Sequence, residues 1–289
     1  MRKLIVLFSG VVLLLSLFLI LFNSLKDNEE TEITYSIRTN YAYLSDGEIS
    51  AVFKVYSNQI DSLLKYADKA NVTLHNRNKE NVVTVSVVES YVSNTTIYKG
   101  KELYEYSLKT LIDITDFEIE DCYMTLKFTH KSYIFYIGKL EVIKSNCLVN
   151  KLPIIDLYGL SSEDDISLSG VIVTLKNSKD KSVEIADISV GNDCDVKFYS
   201  EQISTKESTK IEDYIKEELV VCDSVRISSN DTKTLLILID NKSDLYLSNS
   251  YIFMSIDGIR YYIENFNYIN SNDLDGLSKY IKEGIIYDG

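Results

Sequence analysis

The sequence predicts an all-β protein: an N-terminal transmembrane helix followed by two tandem antiparallel β-sandwich domains with minor helix. Three observations carry this. Beyond residue 32, apolar residues recur with period two in run after run, as half-buried strands require. Turn signals separate the runs at roughly ten-residue spacing, which favours antiparallel sandwiches over a parallel α/β sheet. Ahead of them, Leu4–Phe22 is an uncharged run of 19 residues, close to the ~20 a helix needs to cross ~30 Å of hydrocarbon.

Residues 1–25 are accordingly read as a signal-anchor. Arg2 and Lys3 precede the apolar run and Lys26-Asp27-Asn28-Glu29-Glu30 follows it, so the positive flank puts the N-terminus in the cytoplasm and the rest outside. A cleaved secretory signal is the alternative, which would release the chain. Two features disfavour cleavage: no pair of small residues leaves the run at A-x-A spacing, and the first cysteine is Cys122, far too late for a lipoprotein signal. Residues 26–32 form a short polar tether.

From Ile33, alternation through Tyr35, Ile37, Tyr41 and Tyr43, a break at Ser45-Asp46-Gly47, and renewed alternation through Ile49, Ala51, Phe53 and Val55 predict a hairpin. Gln59–Ala67 spaces Ile60, Leu63, Leu64 and Ala67 as a short helix would, with Ser57 or Asn58 as cap. Strands follow at 72–74, 82–92, 103–114, 122–128 and 133–142. The single proline, Pro153, stands between two strand-rich units and marks a linker, because it fixes its own φ and biases its predecessor toward extended backbone. This gives domain 1 as 33–149 and domain 2 as 150–289. In the second, strands are expected at 166–175, 183–190, 196–199, 220–227, 234–239, 251–255 and 259–266. Asp257-Gly258 is a tight-turn signal. Lys206–Leu219 and Asp273–Tyr287 carry helical spacing, the latter predicting a terminal helix packed on the sandwich.

Composition narrows function by exclusion. The formal charge is −13, and removing Arg2 and Lys3 leaves 28 basic against 43 acidic residues on the exported part. Nucleic acid and anionic membrane surfaces require clustered Lys and Arg, so neither is an expected partner. Twenty-two tyrosines suit pleated strands, and an exposed Tyr platform is the sharper reading. Nucleophile-elbow, HExxH, Walker and dinucleotide fingerprints are absent. His75 and His130 read as strand-end or turn residues. Glu118, Glu120 and Asp121, and Glu163, Asp164 and Asp165, read as solvated acidic loops, with glycosidase acids or calcium ligands as alternatives.

Four cysteines, Cys122, Cys147, Cys194 and Cys222, in an exported chain predict two disulfides. The domain boundary pairs them Cys122–Cys147 and Cys194–Cys222. Zinc is disfavoured, since there is no C-x-x-C and neither histidine stands at ligand spacing from a cysteine. No catalytic residue, cofactor or metal is assigned.

The expectation is thus a single-pass, extracytoplasmic cell-surface protein of two immunoglobulin-like sandwiches. It is a non-enzymatic module that binds or scaffolds another envelope protein or cell-surface ligand. The alternatives are a carboxylate-dependent envelope glycan hydrolase and an accessory or solute-binding subunit of a transporter complex.

Overall fold

The computed structural model describes residues 31–45, 48–113, 116–144, 148–149, 152–191, 194–200, 203, 208–215, 219–267 and 274–288. The proposed anchor, most of the tether and Cys147 lie outside them. Among the described residues no helix is long and apolar enough to cross a membrane. The chain is all-β, with residues Ile33–Gly289 forming one compact unit.

The first half contributes β1 (Thr34–Ile37), β2 (Thr39–Ser45), β3 (Ile49–Ser57), β4 (Asn71–His75), β5 (Val82–Tyr98), β6 (Lys101–Ile112), β7 (Phe117–Lys127) and β8 (Lys131–Lys144). The second adds β9 (Leu148–Val149), β10 (Ile154–Ser161), β11 (Leu168–Lys176), β12 (Val183–Val190), β13 (Asp195–Tyr199), β14 (Ser224–Ile227), β15 (Thr232–Asp240), β16 (Asn249–Ile256), β17 (Ile259–Asn267), β18 (Ile281–Glu283) and β19 (Ile285–Asp288).

A ten-stranded sheet runs β18-β1-β3-β6-β5-β4-β7-β8-β19, with β2 also on β8. It folds over at β5, whose residues 82–85 pair with β4 while Ser86 onward pairs with β6, through a register irregularity between Val87 and Glu89. Such an extra residue bends and coils a strand. The alternating apolar positions then meet inside: Phe53 and Val55, Tyr106 and Leu108, Met124 and Leu126, and Tyr133 and Phe135 form one buried core. Phe53, Leu108 and Phe135 have no exposed surface, and burial at that level contributes about 1.5–3 kcal/mol for each such side chain.

The 33–55 segment departs from the predicted hairpin. β1 does pair antiparallel with β3, but β2 crosses over and pairs in parallel with β8. Alternation reports which side chains face the core, not which strand lies alongside, and both positions bury the same face. Gly138 permits the crossover: its φ is +106°, and a Cβ there would fall on the backbone of Thr39.

Local helix is less than expected. The first helical stretch is a 3-10 helix, Leu63–Lys69, capped by Ser62, whose Oγ accepts from Leu64 N at 3.2 Å. Ser57 and Asn58 instead receive Gln59 N and Ile33 N. Of Lys206–Leu219, the described part holds a single 3-10 turn, Ile211–Asp213. The predicted terminal helix is a series of turns over 274–280, closed by i to i+3 bonds such as Tyr280 N to Leu277 O at 2.8 Å, followed by β18 and β19. The helical spacing of Leu274, Leu277 and Tyr280 correctly placed all three on a buried face, but pairing with β1 and β8 captures the chain beyond Tyr280. Residues 281–288 therefore belong to the first sheet. They join its two edges, bent at Gly284, where a Cβ would lie 2.5 Å from Thr34 Oγ1 and 2.9 Å from the Phe135 ring.

The second pair of sheets, β10-β11-β15-β13 and β14-β12-β16-β17-β9, encloses a separate core that includes Val171, Val173, Leu235 and Ile237 from one sheet and Ile185, Ile252 and Met254 from the other. β11 reads Val171-Ile172-Val173 without alternation because both of its faces are covered: Ile172 packs outward with Leu160, Ile211 and Tyr214. Asp257 and Gly258 take positive φ at the β16–β17 turn, as the Asp-Gly signal requires.

Of the two predicted pairs, Cys122–Cys147 reaches outside the described residues, and Cys194–Cys222 departs from the prediction. Cys122 is buried, and both it and Cys222 carry free thiols, so Cys194–Cys222 is not bridged. Cys222 N donates to Phe198 O at 2.9 Å, and its Sγ lies 3.4 Å from Ser200 Oγ. Cys194 is four residues before Phe198 on an extended strand, about 13 Å away along it, whereas a bridge needs Cα atoms within about 7 Å.

Candidate functional site

The two cores meet through two apolar clusters. One joins Ile37, Tyr56, Tyr98 and Leu103 to Tyr246 and to Leu274, Leu277 and Tyr280; the other sets Ala42 and Leu44 of β2 against Tyr251. Between them stands Arg38, the single residue between β1 and β2. Its backbone N–H donates to Tyr280 O at 2.9 Å and its carbonyl accepts from Tyr246 N at 2.8 Å, while Asn40 N donates to Tyr246 O at 2.8 Å. The guanidinium caps the terminal turn, with Nη2 donating to Lys279 O at 2.7 Å.

Beside this seam lies a cleft of about 440 Å³, lined chiefly by Arg38, Asp165, Ser167, Asn241, Lys279 and Tyr280. Asp165 organises it. Its carboxylate accepts from Lys279 Nζ at 2.9 Å, from Tyr280 Oη at 2.8 and 3.0 Å, and from Ser167 N at 3.0 Å. Burial pushes the Asp165 carboxyl up, but the Lys279 ammonium and these donors outweigh it and hold it below the ordinary carboxylate value. The Tyr280 hydroxyl is raised, first by burial and then by donating to that carboxylate. Ser162 and Ser167 fix the loop from within, Ser162 Oγ accepting from Asp165 N and Ser167 Oγ from Leu247 N, both at 2.9 Å. On the far wall Asn241 closes its own loop, donating to Leu245 O at 2.9 Å.

No family model matches the chain, and no curated protein resembles it in sequence.

The cleft offers hydroxyls, amides, the Asp165–Lys279 ion pair, the Arg38 guanidinium held on backbone carbonyls, and the carboxylates of Asp240 and Asp244. Among the described residues no group of three or more His, Cys, Asp and Glu is placed to hold a metal ion. Of the acidic residues singled out in the sequence, Asp165 reaches the cleft. Glu163 N is held by Glu212 at 3.0 Å, and Glu118 and Glu120 share the buried Lys139 at 2.5 and 3.1 Å. Asp121 accepts from Tyr136 Oη at 2.9 Å. His75 is a packed strand-end residue. Its Nδ1 faces Asn76 O at 2.8 Å and so donates to it, and Nε2 bonds Thr125 Oγ1 at 2.8 Å. It begins an aromatic row across three strands, with Tyr123 at 6.0 Å and Tyr136 a further 5.0 Å on between ring centroids. His130 lies exposed in the β7–β8 turn.

Arg38, Tyr246 and Lys279 carried no signal in the sequence, and Tyr280 carried only a spacing that marked it as buried. Arg38 was one polar residue in an alternating run, and the other three derive their roles from partners more than 100 residues away.

Proposed function

We propose that the chain is a membrane-anchored, extracytoplasmic binding or scaffolding module of the cell envelope, without enzymatic activity. It presents two immunoglobulin-like sandwiches at one fixed mutual angle to another envelope protein. The observation that carries this is the seam: domains in one chain ordinarily move relative to one another unless a large apolar interface joins them. Here two apolar clusters, the Arg38 backbone bonds and the Asp165–Lys279–Tyr280 group all span the junction. A rigid pair of sandwiches suits holding a partner at a set distance and orientation.

Connectivity supports the immunoglobulin-like part. The order β1-β3-β6-β5 against β4-β7-β8, with the first strand switching from one sheet to the other, matches the ABED and CFG sheets of such domains. The order β10-β11-β15 against β12-β16-β17 repeats it. The half-buried Tyr123 and Tyr136, adjacent on β7 and β8, supply aromatic surface of the kind a partner face favours.

Affinity capture from envelope extracts with the purified chain tests this reading. Enrichment of a discrete envelope protein is the expected result. Measurable hydrolytic turnover of envelope glycans, with no partner enriched, would overturn it.

A further inference from the structure

We propose that the cleft beside the seam binds a free basic α-amino acid of the lysine type. Arg38 takes its carboxylate, Asp244 its α-ammonium, and Asp240 the ammonium at the end of its side chain. The cleft volume of about 440 Å³ lies within the range of small-molecule sites. Its walls carry fixed charges of opposite sign that no ion pair inside the protein answers.

Arg38 stands half-buried on one wall. Its Nε donates to Tyr280 O at 3.4 Å and its Nη2 to Lys279 O at 2.7 Å. These bonds fix the plane of the guanidinium but do not answer its charge, because a carbonyl carries none. Among the described residues Arg38 forms no ion pair, and its Nη1 donors stay unused. Lys279, the other cation of this wall, is answered by Asp165. In a chain with 43 acidic residues, a half-buried guanidinium that meets no carboxylate is set for one from outside, and its planar fork matches that group best.

The far wall is the loop that follows β15. Asp240 and Asp244 line it, both exposed and neither in an ion pair among the described residues. Lys242, between them in the chain, is committed to Asp195. Asn241 holds the loop, donating to Leu245 O at 2.9 Å and accepting from Ser243 Oγ at 2.8 Å, which keeps the two carboxylates on their own side. Charges held apart in this way are preorganised for a dipolar ligand. One unanswered cation facing two unanswered anions matches a molecule with one carboxylate and two ammonium groups, a diamino acid. Asp240 also lies where the cleft meets a second hollow of about 570 Å³, walled in part by Val196, Ile211 and Leu238. That apolar wall suits the methylene stem of a lysine side chain, which packs on apolar surface while its ammonium stays at the polar rim.

Ligand-observed NMR titration of the full chain in detergent with L-lysine tests the assignment. Saturable binding in the millimolar range is expected, since exposed carboxylates contribute modestly. L-Lysinamide lacks the carboxylate for Arg38 and should bind about tenfold more weakly or worse, with no change made to the protein. Nα-acetyl-L-lysine lacks the α-ammonium and stands in for the C-terminal lysine of a peptide, and L-alanine lacks the second ammonium; each should bind about threefold to fivefold more weakly. Asp240→Asn should weaken L-lysine by a similar factor and leave L-alanine unchanged, whereas Asp244→Asn should weaken both. Asp180→Asn, exposed in the β11–β12 turn at the other end of β11 from the cleft, should change neither. Partner capture by the same chain does not depend on any of these results, so the scaffolding reading stands or falls separately. Absence of saturable L-lysine binding, lysinamide or acetyl-lysine binding as tightly as L-lysine, or an Asp180→Asn loss equal to that of Asp240→Asn would each overturn the proposal.

Discussion

Asp165→Ala is expected to destabilise the protein by about 2–3 kcal/mol, and the effect should depend on Tyr280. The carboxylate accepts two contacts from the Tyr280 hydroxyl, one from Ser167 N and one from Lys279. Lys279 is 55% exposed at its side chain, so its ion pair contributes at most about 1 kcal/mol. Tyr280 is 4% exposed but borders the cleft, so depriving its hydroxyl and Ser167 N of their acceptor costs about 1–2 kcal/mol. For a unit of this size the sum lowers Tm by about 5–10 °C. Urea unfolding of wild type, Asp165→Ala, Tyr280→Phe and the double variant closes a cycle. Because Tyr280→Phe removes the hydroxyl that Asp165→Ala would strand, the double variant should be less destabilised than the sum of the singles, by about 1–2 kcal/mol. Additivity within about 0.5 kcal/mol would refute the coupling and with it the role given to Asp165. The acid limb supplies a second readout. The Asp165 pKa is depressed on folding, so its contribution is complete above the unfolded value near 3.8 and is lost as pH falls through the folded one. The Ala variant should therefore lose less stability than wild type on acidification through that range.

Gly284→Val should loosen the terminal strand from both neighbours, since its side chain would occupy the space of Thr34 Oγ1 and the Phe135 ring; faster amide exchange over 281–288 and a cost of about 2 kcal/mol or more are expected. Asn177 is fully buried, with Nδ2 donating to Lys181 O, Ile227 O and Ser228 O and Oδ1 accepting from Lys179 N. Asn177→Ala should cost about 3 kcal/mol in chemical unfolding, and a loss below about 1 kcal/mol would show that water replaces the amide. Burial pushes the Cys122 thiol up to about 12, so Cys122 should resist maleimide at pH 7.5 until the chain is unfolded, while half-buried Cys222 reacts in the native state. Mass mapping that finds both labelled at the same rate would contradict the burial of Cys122.

Much of the strand inventory was legible because each strand buries one face, and burial imposes period two on the residues themselves. Val183–Val190 and the β4, β7 and β8 runs were visible for that reason, and the Asp257-Gly258 turn because its backbone needs positive φ. β10 was missed: Ile154 and Ile155 are adjacent apolar residues, 40 and 53% exposed, so no alternation marks the strand. The β5–β6 hairpin is longer than alternation suggested, because its turn, Lys99-Gly100 with φ of +50° and +76°, closes a ribbon whose outer residues, exposed like Ile97, carry no burial signal.

What the sequence by itself determined is the all-β class, most of the buried faces, the acidic surface and the absence of the searched catalytic fingerprints, since each is set by residues close together in the chain. Only the tertiary structure decided that β2 leaves β3 for β8, that residues 281–288 return to the first sheet and that Asp165 meets Lys279 and Tyr280. It also decided that Cys222 sits beside Ser200 instead of Cys194. These are pairings across as many as 250 residues, and no local periodicity encodes them. A strand offers the same backbone groups to any neighbour, so the partner is chosen by which arrangement buries the most apolar surface at once. The close approaches at Gly138 and Gly284 show where that choice left room for nothing larger than hydrogen.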